Sequence, residues 1–268
     1  MPVPIVRRLA LLLVVAALSS TLSSILGLAL GASTAPARPC RDQALLDTSY
    51  IVCRFDPAVD DLRLFWLTPD GRPYRTFDAL SRALQREGRT LLFAMNGGMY
   101  ERDLSPVGLH IENGHVLSRA NTKTVKGQPG QVPNFYKRPN GVFFWGKGGA
   151  GVLETGQFLA RNPKAAFATQ SGPMLVIDGV IHPAFIANSK DVKPRDGVGI
   201  GPDGKIYFVM TRGQVSFYDF ARAFRDGLGV KNALFLDGGW APGLYVPELE
   251  RNDPPAHGGY GPIIAVIR

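Results

Sequence analysis

Two stretches of the chain place a short polar residue and two glycines directly after an apolar run. Leu234–Leu236 runs into Asp237-Gly238-Gly239, and Leu91–Met95 runs into Asn96-Gly97-Gly98. Such a run is typical of a buried strand that ends at a tight turn. Glycine lets another group approach the backbone closely, although Asp-Gly is also an ordinary turn pair with no chemical role. Because the pattern occurs twice, we predict two strand tips that converge on one cleft.

The first 37 residues have the pattern of an export signal. Arg7 and Arg8 precede an uncharged stretch that ends in the small residues Ala35-Pro36-Ala37, as in a cleavable leader. Leu9–Gly31 is also long enough to span a bilayer, so a signal anchor stays open. We therefore expect a periplasmic or extracellular protein that contacts a membrane only through an uncleaved leader, with one domain over residues 38–268.

The charge of the chain argues against nucleic acid as a partner. The formal net charge is +8, but the basic residues are spread out, and no run of Lys or Arg is longer than two. A nucleic-acid interface would show a basic patch or stripe. A positive field that attracts anionic substrates is compatible with this distribution.

Both cysteines lie at the start of the predicted domain. Cys40 and Cys53 lack the spacing of a redox or metal motif, and two cysteines in an exported protein are most simply a disulfide. Closing a loop of this length would stabilise the fold by about 3 kcal/mol in the chain-entropy model.

The rest of the chain reads as strands separated by turns, with two helices. Thr76 is placed to cap a helix over Phe77–Glu87, and Ser216 to cap one that ends near Leu228. Asn121–Arg138 is polar and rich in Gly, Pro and Lys, which predicts a long loop; we hypothesise that it lies over the cleft. The fold class is α+β, with a largely antiparallel, curved sheet in a single domain.

Common catalytic motifs are missing from the sequence. It has no G-x-S-x-G elbow, no P-loop and no H-E-x-x-H pair. The four histidines are not spaced as a helical metal pair, so we expect structural or surface roles for them. Ser171, followed by Gly172-Pro173, fits a turn better than a nucleophile.

Five short motifs together identify a resemblance. In chain order they are Asn96-Gly97-Gly98-Met99, Pro106-Val107-Gly108-Leu109, Ser171-Gly172-Pro173-Met174-Leu175, Arg195 with Gly199-Ile200-Gly201, and Leu236-Asp237-Gly238-Gly239. This series resembles the phosphodiester glycosidase family, from about Tyr50 to the C-terminus. The resemblance implies a hydrolase that cleaves the glycosidic bond of a sugar-1-phosphodiester or another phosphate-bearing glycan. It implies no cofactor and leaves a divalent cation open.

The resemblance also implies roles for individual residues. Asp237 would be the carboxylate that stabilises or traps an oxocarbenium-like centre, and Arg195 would clamp the phosphate, for which a guanidinium is suited. Asn96 and the amides of Gly97 and Gly98 would orient substrate oxygens. A surface arginine with no such role stays open for Arg195. Further substrate contacts would come from Ser171, Gly238, Gly239 and Trp240, and the candidates for a second carboxylate are Glu101, Glu112 and Asp219.

The chain departs from the family pattern after Asp-Gly-Gly. A small or hydroxyl-bearing residue and a serine usually follow, whereas this chain has Trp240-Ala241-Pro242. Trp240 would either offer its ring to a sugar or cover the core. Two other functions stay open: a binder of phosphate-bearing glycans without catalysis, and a phosphodiesterase that uses a divalent metal ion held by Asp237 and neighbouring acids.

Overall fold

Three β-sheets, built from strands numbered β1 to β17 in chain order, carry the fold. The computed structural model describes residues 38–128 and 130–268. In spatial order, the first sheet contains β1 (Cys40–Leu45), β2 (Thr48–Phe55), β13 (Ile206–Thr211), β12 (Arg195–Ile200), β14 (Ala233–Gly238), β10 (Met174–Ile177) and β11 (Val180–Ile181). The second contains β16 (Arg251–Asn252), β15 (Leu244–Val246), β4 (Leu91–Asn96), β17 (Ile263–Ile267) and β3 (Asp61–Phe65). The third contains β6 (His115–Ser118), β5 (His110–Glu112), β9 (Phe167–Ser171), β7 (Gly141–Gly146) and β8 (Gly149–Glu154).

The sheets confirm the predicted fold class. Neighbouring strands pair antiparallel in all three sheets, and strands outnumber helices in the described residues. The three α-helices found there are α1 (Phe77–Arg86), α2 (Thr155–Arg161) and α3 (Phe217–Arg222), the last continued by a π-turn over Ala223–Gly227. Two 3-10 turns lie at Asn134–Tyr136 and Pro247–Leu249.

One hydrophobic core joins the inner faces of the three sheets. Phe208 of the first sheet, Phe93 of the second and Phe143 of the third are each completely buried. The ring centroid of Phe208 lies 5.2 Å from that of Phe93 and 5.8 Å from that of Phe143. Aromatic rings bury large apolar areas and prefer such tilted contacts. The three sheets therefore share a single interior.

A helix covers the outer face of each sheet. Phe77, Leu80 and Leu84 of α1 pack against β4 and β17. Phe158 of α2 packs against the third sheet, and Phe220 of α3 packs against the first. Each helix presents one apolar stripe to a sheet, as an amphipathic surface helix does.

The two predicted helices begin where the capping residues indicate. The Thr76 hydroxyl accepts from the backbone N–H of Ala79 at 3.1 Å, and the Ser216 hydroxyl accepts from that of Asp219 at 3.1 Å. Each cap satisfies a donor that the first helical turn leaves free. The second helix has α geometry as far as Arg222 and continues through the π-turn to its C-cap Leu228, which confirms the predicted end.

A hairpin at the start of the domain pairs the two cysteines. Cys40 of β1 lies directly opposite Cys53 of β2, and the two form the predicted disulfide. The hairpin itself was not predicted, and α2 and β8 were also missed. Helix α2 begins after Glu154, which is outside the preferred set of capping residues, and β8 is rich in glycine, which weakens a strand pattern.

The predicted export segment, residues 1–37, lies outside the described residues. Residues 38–268 form one compact unit. Within the described part of that unit, no helix combines the length and the apolar composition that a bilayer crossing requires.

Truncation of Phe208 tests the shared core. We expect Phe208→Ala to lower the free energy of unfolding by about 3–5 kcal/mol, because the cavity would open between all three sheets. Urea unfolding measures the loss, and Val59→Ala, at an 80% exposed position, should stay within about 0.5 kcal/mol of the wild type. A loss below 1 kcal/mol for Phe208→Ala would show that the sheets do not depend on one core.

Candidate functional site

Two aspartates lie side by side where β12 and β14 pair. Asp196 is directly opposite Asp237, whereas the next residue, Gly197, is opposite Phe235. Leu236 is therefore the extra residue of a β-bulge, a feature that re-aims side chains and is frequent beside active sites. The backbone N–H of Asp237 donates to Oδ1 of Asp196 at 2.7 Å, which fixes the two carboxyls as neighbours.

The two predicted strand tips meet at this pair. The Ser171 hydroxyl donates to the carbonyl of Leu236, immediately before Asp237, at 2.8 Å. A Cβ at Gly98 would lie 3.4 Å from Cβ of Ser171 and 3.1 Å from Oγ1 of Thr169. Gly98 also has a φ of +122°, which disfavours residues with a side chain. Close packing explains this glycine, and the Asn-Gly-Gly and Asp-Gly-Gly tips share one region through Ser171.

Asn96 is completely buried and lies behind the cavity rather than in its wall. Its Oδ1 accepts from the backbone N–H of Gly243 at 2.9 Å. Burial has the largest effect on the pKa of Asp196 and raises it. The side-chain amide of Asn96 lies near that carboxyl and acts in the opposite direction. Asn96 therefore contacts the residues that hold the site.

A cavity of about 660 Å³ opens in front of Asp237. We call it the Asp237 cavity. Its volume falls within the range of small-molecule sites. The wall comes from the tip after β4, from the long loop near Tyr136, and from the segment after β14; it includes Met99, Tyr100, Glu101, Arg102, Tyr136 and His257. As hypothesised, part of the loop over residues 121–138 lies beside this cleft.

Burial dominates the electrostatics of the carboxyl pair. It raises the pKa of Asp237 to about 7, although the backbone N–H of Gly238 acts in the opposite direction. Burial, together with the neighbouring charge of Asp237, raises the pKa of Asp196 well above its usual range. Since a low-dielectric site disfavours two adjacent negative charges, Asp196 keeps its proton while Asp237 titrates near neutral pH.

Three buried polar atoms at this site have no hydrogen-bond partner in the part of the chain that the structure describes. They are Nδ2 of Asn96, the hydroxyl of Tyr100 and Oδ2 of Asp196. Burial, and then the charges of Asp237 and Asp196, raise the pKa of Tyr100 to about 12. Unsatisfied buried groups are rare in folded proteins and call for an explanation. Their concentration around Asp237 makes this region a candidate site for a polar ligand.

The structure does not bring Arg195 to the Asp237 cavity. Arg195 and Asp196 are consecutive strand residues, so their side chains point to opposite faces of the sheet. The guanidinium lies 3.6 Å from the ring centroid of Phe217, and its Nε donates to the carbonyl of Val215 at 2.9 Å. At 1% exposure it is not a surface arginine either. Burial lowers its pKa to about 10.

Of the three candidates for a second carboxylate, only Glu101 lines the cavity with Asp237. Glu112 pairs with Nε2 of His110 at 2.7 Å, on the third sheet. Asp219 accepts from the Ser216 hydroxyl at 2.6 Å at the start of α3. Both are engaged elsewhere in the fold.

The glycine amides are mostly occupied by the protein itself. Gly97 donates to the carbonyl of Pro262 at 2.6 Å, and Gly239 donates to that of Pro194 at 3.0 Å. Gly238 donates to Oδ1 of Asp237 at 2.8 Å. Trp240 is 83% exposed, so it does not cover the core, and it lies between the cavity residues Gly238 and Ala241.

Sequence reasoning missed Asp196, Tyr100, Arg102 and His257. Asp196 carried a usable signal, because it is an acidic residue that directly follows Arg195 in a strand with no other charged residue. Tyr100 and Arg102 directly follow the Asn-Gly-Gly tip. His257 lies far away in sequence, and only the fold brings it to the cavity. Among the described residues, no three His, Cys, Asp or Glu side chains are grouped closely enough to hold a metal ion.

Comparison with known proteins places this geometry in a family. A family model described as phosphodiester glycosidase matches residues 89–266, a span that includes Asn96, Asp196 and Asp237. The chain belongs to the phosphodiester glycosidase family. The chain is also similar in sequence to the uncharacterized protein YigE of Escherichia coli (strain K12). The two are 34% identical over 199 residues, which cover 74% of this chain and 75% of YigE.

Solved structures show the same fold. The catalytic domain of zebrafish N-acetylglucosamine-1-phosphodiester alpha-N-acetylglucosaminidase, auto-inhibited by its pro-peptide, aligns with a TM-score of 0.57 and 17% identity over 85% of this chain and 81% of its own. A hypothetical protein from Synechocystis aligns with a TM-score of 0.52 and 14% identity, over 85% of this chain and 61% of its own. The phosphodiester glycosidase fold therefore extends over most of this chain.

The raised pKa values of the carboxyl pair predict a pH-dependent stability. Both groups bind protons more tightly in the folded chain than in the unfolded chain, where Asp titrates near pH 3.9. Their contribution is therefore complete below about pH 4 and is lost as the pH rises toward the folded pKa values. From pH 4 to 7, we therefore expect the free energy of unfolding to fall more for the wild type than for Asp196→Asn, which has no proton to lose at this position.

Urea unfolding at both pH values measures this difference. Asp47→Asn, at an exposed turn between β1 and β2, serves as the control and should follow the wild type. Parallel pH profiles for wild type and Asp196→Asn would mean that Asp196 is ionised in the folded chain.

Proposed function

We propose that the chain is an exported hydrolase that cleaves the bond between the anomeric carbon of a sugar and the phosphate of a sugar-1-phosphodiester. The observation that supports this most directly is Asp237. Its carboxyl lines a cavity of about 660 Å³, has a pKa of about 7, and lies within the region matched by the phosphodiester glycosidase family. The zebrafish protein with this fold is an N-acetylglucosamine-1-phosphodiester alpha-N-acetylglucosaminidase, and its name suggests the substrate class.

Export and domain organisation belong to the same proposal. Residues 1–37 carry the charge and apolar pattern of a leader, and Cys40 and Cys53 are joined as a disulfide, a bond typical of oxidising compartments. A mature domain over residues 38–268 would then act on glycoconjugates of the envelope or of the extracellular space.

Asp237 would act as the carboxylate beside the anomeric carbon. As the bond from C1 to the phosphate oxygen breaks, its electron pair leaves with the phosphate and positive charge develops at the sugar ring. Only ionised Asp237 can stabilise or trap that charge. Water then supplies the hydroxyl at C1, and the products are the free sugar and a phosphomonoester. A phosphate ester is a good leaving group, so a strong general acid is less necessary than for an ordinary glycoside.

Asp196 would hold Asp237 in its working position and charge state. It is completely buried, and its Oδ1 accepts the Asp237 backbone N–H at 2.7 Å. Because Asp196 keeps its proton, Asp237 can ionise near neutral pH without a second negative charge beside it. Tyr100 lines the same cavity, and its buried hydroxyl has no protein partner in the described residues.

The phosphate contact is proposed to come from Arg102, a cation in the cavity wall. Arg195 lies on the other face of the sheet, whereas Arg102 and His257 line the Asp237 cavity. Arginine can bind phosphate through two parallel hydrogen bonds. Arg102 therefore takes over the phosphate role that the sequence pattern suggested for Arg195.

Replacement of Asp237 tests the reaction itself. We expect Asp237→Asn to reduce release of sugar from a GlcNAc-1-phosphodiester by about a thousandfold or more, because the amide cannot stabilise the developing charge. Circular dichroism should show an unchanged fold, and Asp47→Asn should keep wild-type turnover. Wild-type turnover in Asp237→Asn would overturn the proposed role.

Identification of the products, with and without chelator, separates the alternatives. Free sugar with phosphomonoester identifies a glycosidase. Sugar phosphate with free alcohol, lost on chelation, would identify a metal-dependent phosphodiesterase. Retention of the diester without any product would identify a glycan-binding protein.

Replacement of Arg102 tests the phosphate contact. A hydrogen bond to a charged group contributes about 1.5–3 kcal/mol, so we expect Arg102→Ala to raise KM for the diester by roughly 10- to 100-fold. Arg72→Ala is the matched control, since Arg72 is exposed and pairs with Asp70 away from the cavity. Unchanged KM and kcat in Arg102→Ala would exclude Arg102 from phosphate binding.

A further inference from the structure

A second cavity lies beside the Asp237 cavity and has no role in the proposed reaction. Its volume is about 610 Å³, and we call it the Phe217 cavity. Tyr136 lines both cavities, while the next residues, Lys137 and Arg138, line only the second. The two cavities are therefore neighbours on either side of one short segment, as the two halves of a divided substrate site would be.

Aromatic rings in the Phe217 cavity are already stacked on one another. The ring centroid of Phe185 lies 4.7 Å from that of His182 and 4.9 Å from that of Phe217. The guanidinium of Arg195 lies 3.6 Å from the centroid of Phe217. Because these ring faces are covered, the aromatic wall is poorly suited to stack on a sugar. It offers ring edges and apolar surface instead.

The mouth of the Phe217 cavity is apolar as well. Ile186 is 72% exposed and Val125 is 39% exposed, and both line the cavity. Single exposed apolar residues are common, but apolar residues grouped at a cavity suggest a binding surface. An alkyl chain fits such a wall, since it requires burial from water and no directed hydrogen bonds.

Positive charge lies at the inner side of this apolar wall. Lys137 is half-buried, its Nζ lies 5.3 Å from the ring centroid of Phe217, and no carboxylate pairs with it among the described residues. Arg195 is buried and bonds only to the carbonyls of Val215 and Asp191. The Asp191 carboxylate also lines the cavity but already pairs with Lys193 at 2.7 Å. Arg195 is not part of the cavity wall, whereas Lys137, whose Nζ donates to Oδ1 of Asn134 at 2.7 Å, lines the cavity and offers positive charge to an anion.

We propose that the Phe217 cavity binds the alcohol part of the phosphodiester, and that this part is an alkyl or isoprenyl chain. The sugar would occupy the Asp237 cavity, the phosphate would lie near the dividing segment within reach of Lys137, and the chain would lie along Phe185 and Ile186. The inference rests on the proposed function and specifies its substrate class: sugar-1-phosphate diesters of long-chain alcohols.

Chain-length dependence of hydrolysis tests this inference. Methyl and decyl diesters of GlcNAc-1-phosphate differ only in the alcohol, and each buried methylene should favour binding by about fourfold. We expect kcat/KM for the decyl diester to exceed that for the methyl diester by at least tenfold. Ile186→Ser should reduce that ratio at least threefold, and Val180→Ser, at a 64% exposed position outside the cavity, should leave it unchanged.

Equal kcat/KM for the two diesters, with active enzyme, would overturn the inference and leave the proposed function intact. A binding measurement tests the inference even if the proposed function is wrong. If neither diester is hydrolysed, calorimetry with decyl phosphate and methyl phosphate still examines the Phe217 cavity. Tighter binding of decyl phosphate that weakens in Ile186→Ser and in Lys137→Gln supports the cavity as an alkyl phosphate site. Equal weak binding of both phosphates would overturn it.

Discussion

The hydrogen bond from the Asp237 backbone to the Asp196 carboxyl is the contact on which the site depends. It joins two acidic residues on paired strands of a mostly buried sheet, at 2.7 Å. A buried pair of carboxyls cannot ionise twice without a large loss of solvation and strong repulsion. One member therefore remains protonated, and the other titrates at a pKa of about 7. The pairing register thus sets the charge of the cavity as well as its shape.

Rigid strands supply the precision that such a pair needs. Asp237 ends a strand whose preceding residues are completely buried, and Ser171 ties the carbonyl before it to a neighbouring sheet. Asn96 bonds to Gly243, where a Cβ would come within 1.9 Å of the Tyr260 hydroxyl. Functional groups on strands are held more firmly than groups on loops. Close packing behind the site therefore explains Gly243 as well as Gly98 of the Asn-Gly-Gly motif.

The sequence was sufficient for local features and insufficient for those that depend on register. Thr76 and Ser216 marked helix starts, and the repeated Gly-Gly tips correctly indicated two strand ends that meet. The side on which Arg195 lies could not be read, because it depends on strand pairing and on the bulge at Leu236. Strand β8 was missed since its Gly151 faces Phe144, where a Cβ would lie only 2.6 Å from the ring. Tertiary packing overrides local propensity at such positions.

Strand β12 begins with a buried basic residue followed directly by a buried acidic one. Asp196 points toward the Asp237 side, and Arg195, one residue earlier, lies under Phe217 on the other side. A buried guanidinium without a carboxylate partner is costly for the fold, and stacking on Phe217 with two carbonyl contacts offsets only part of that cost. The acid and the base that stand next to each other in the sequence therefore lie on different sides of β12, and each is buried in its own surroundings.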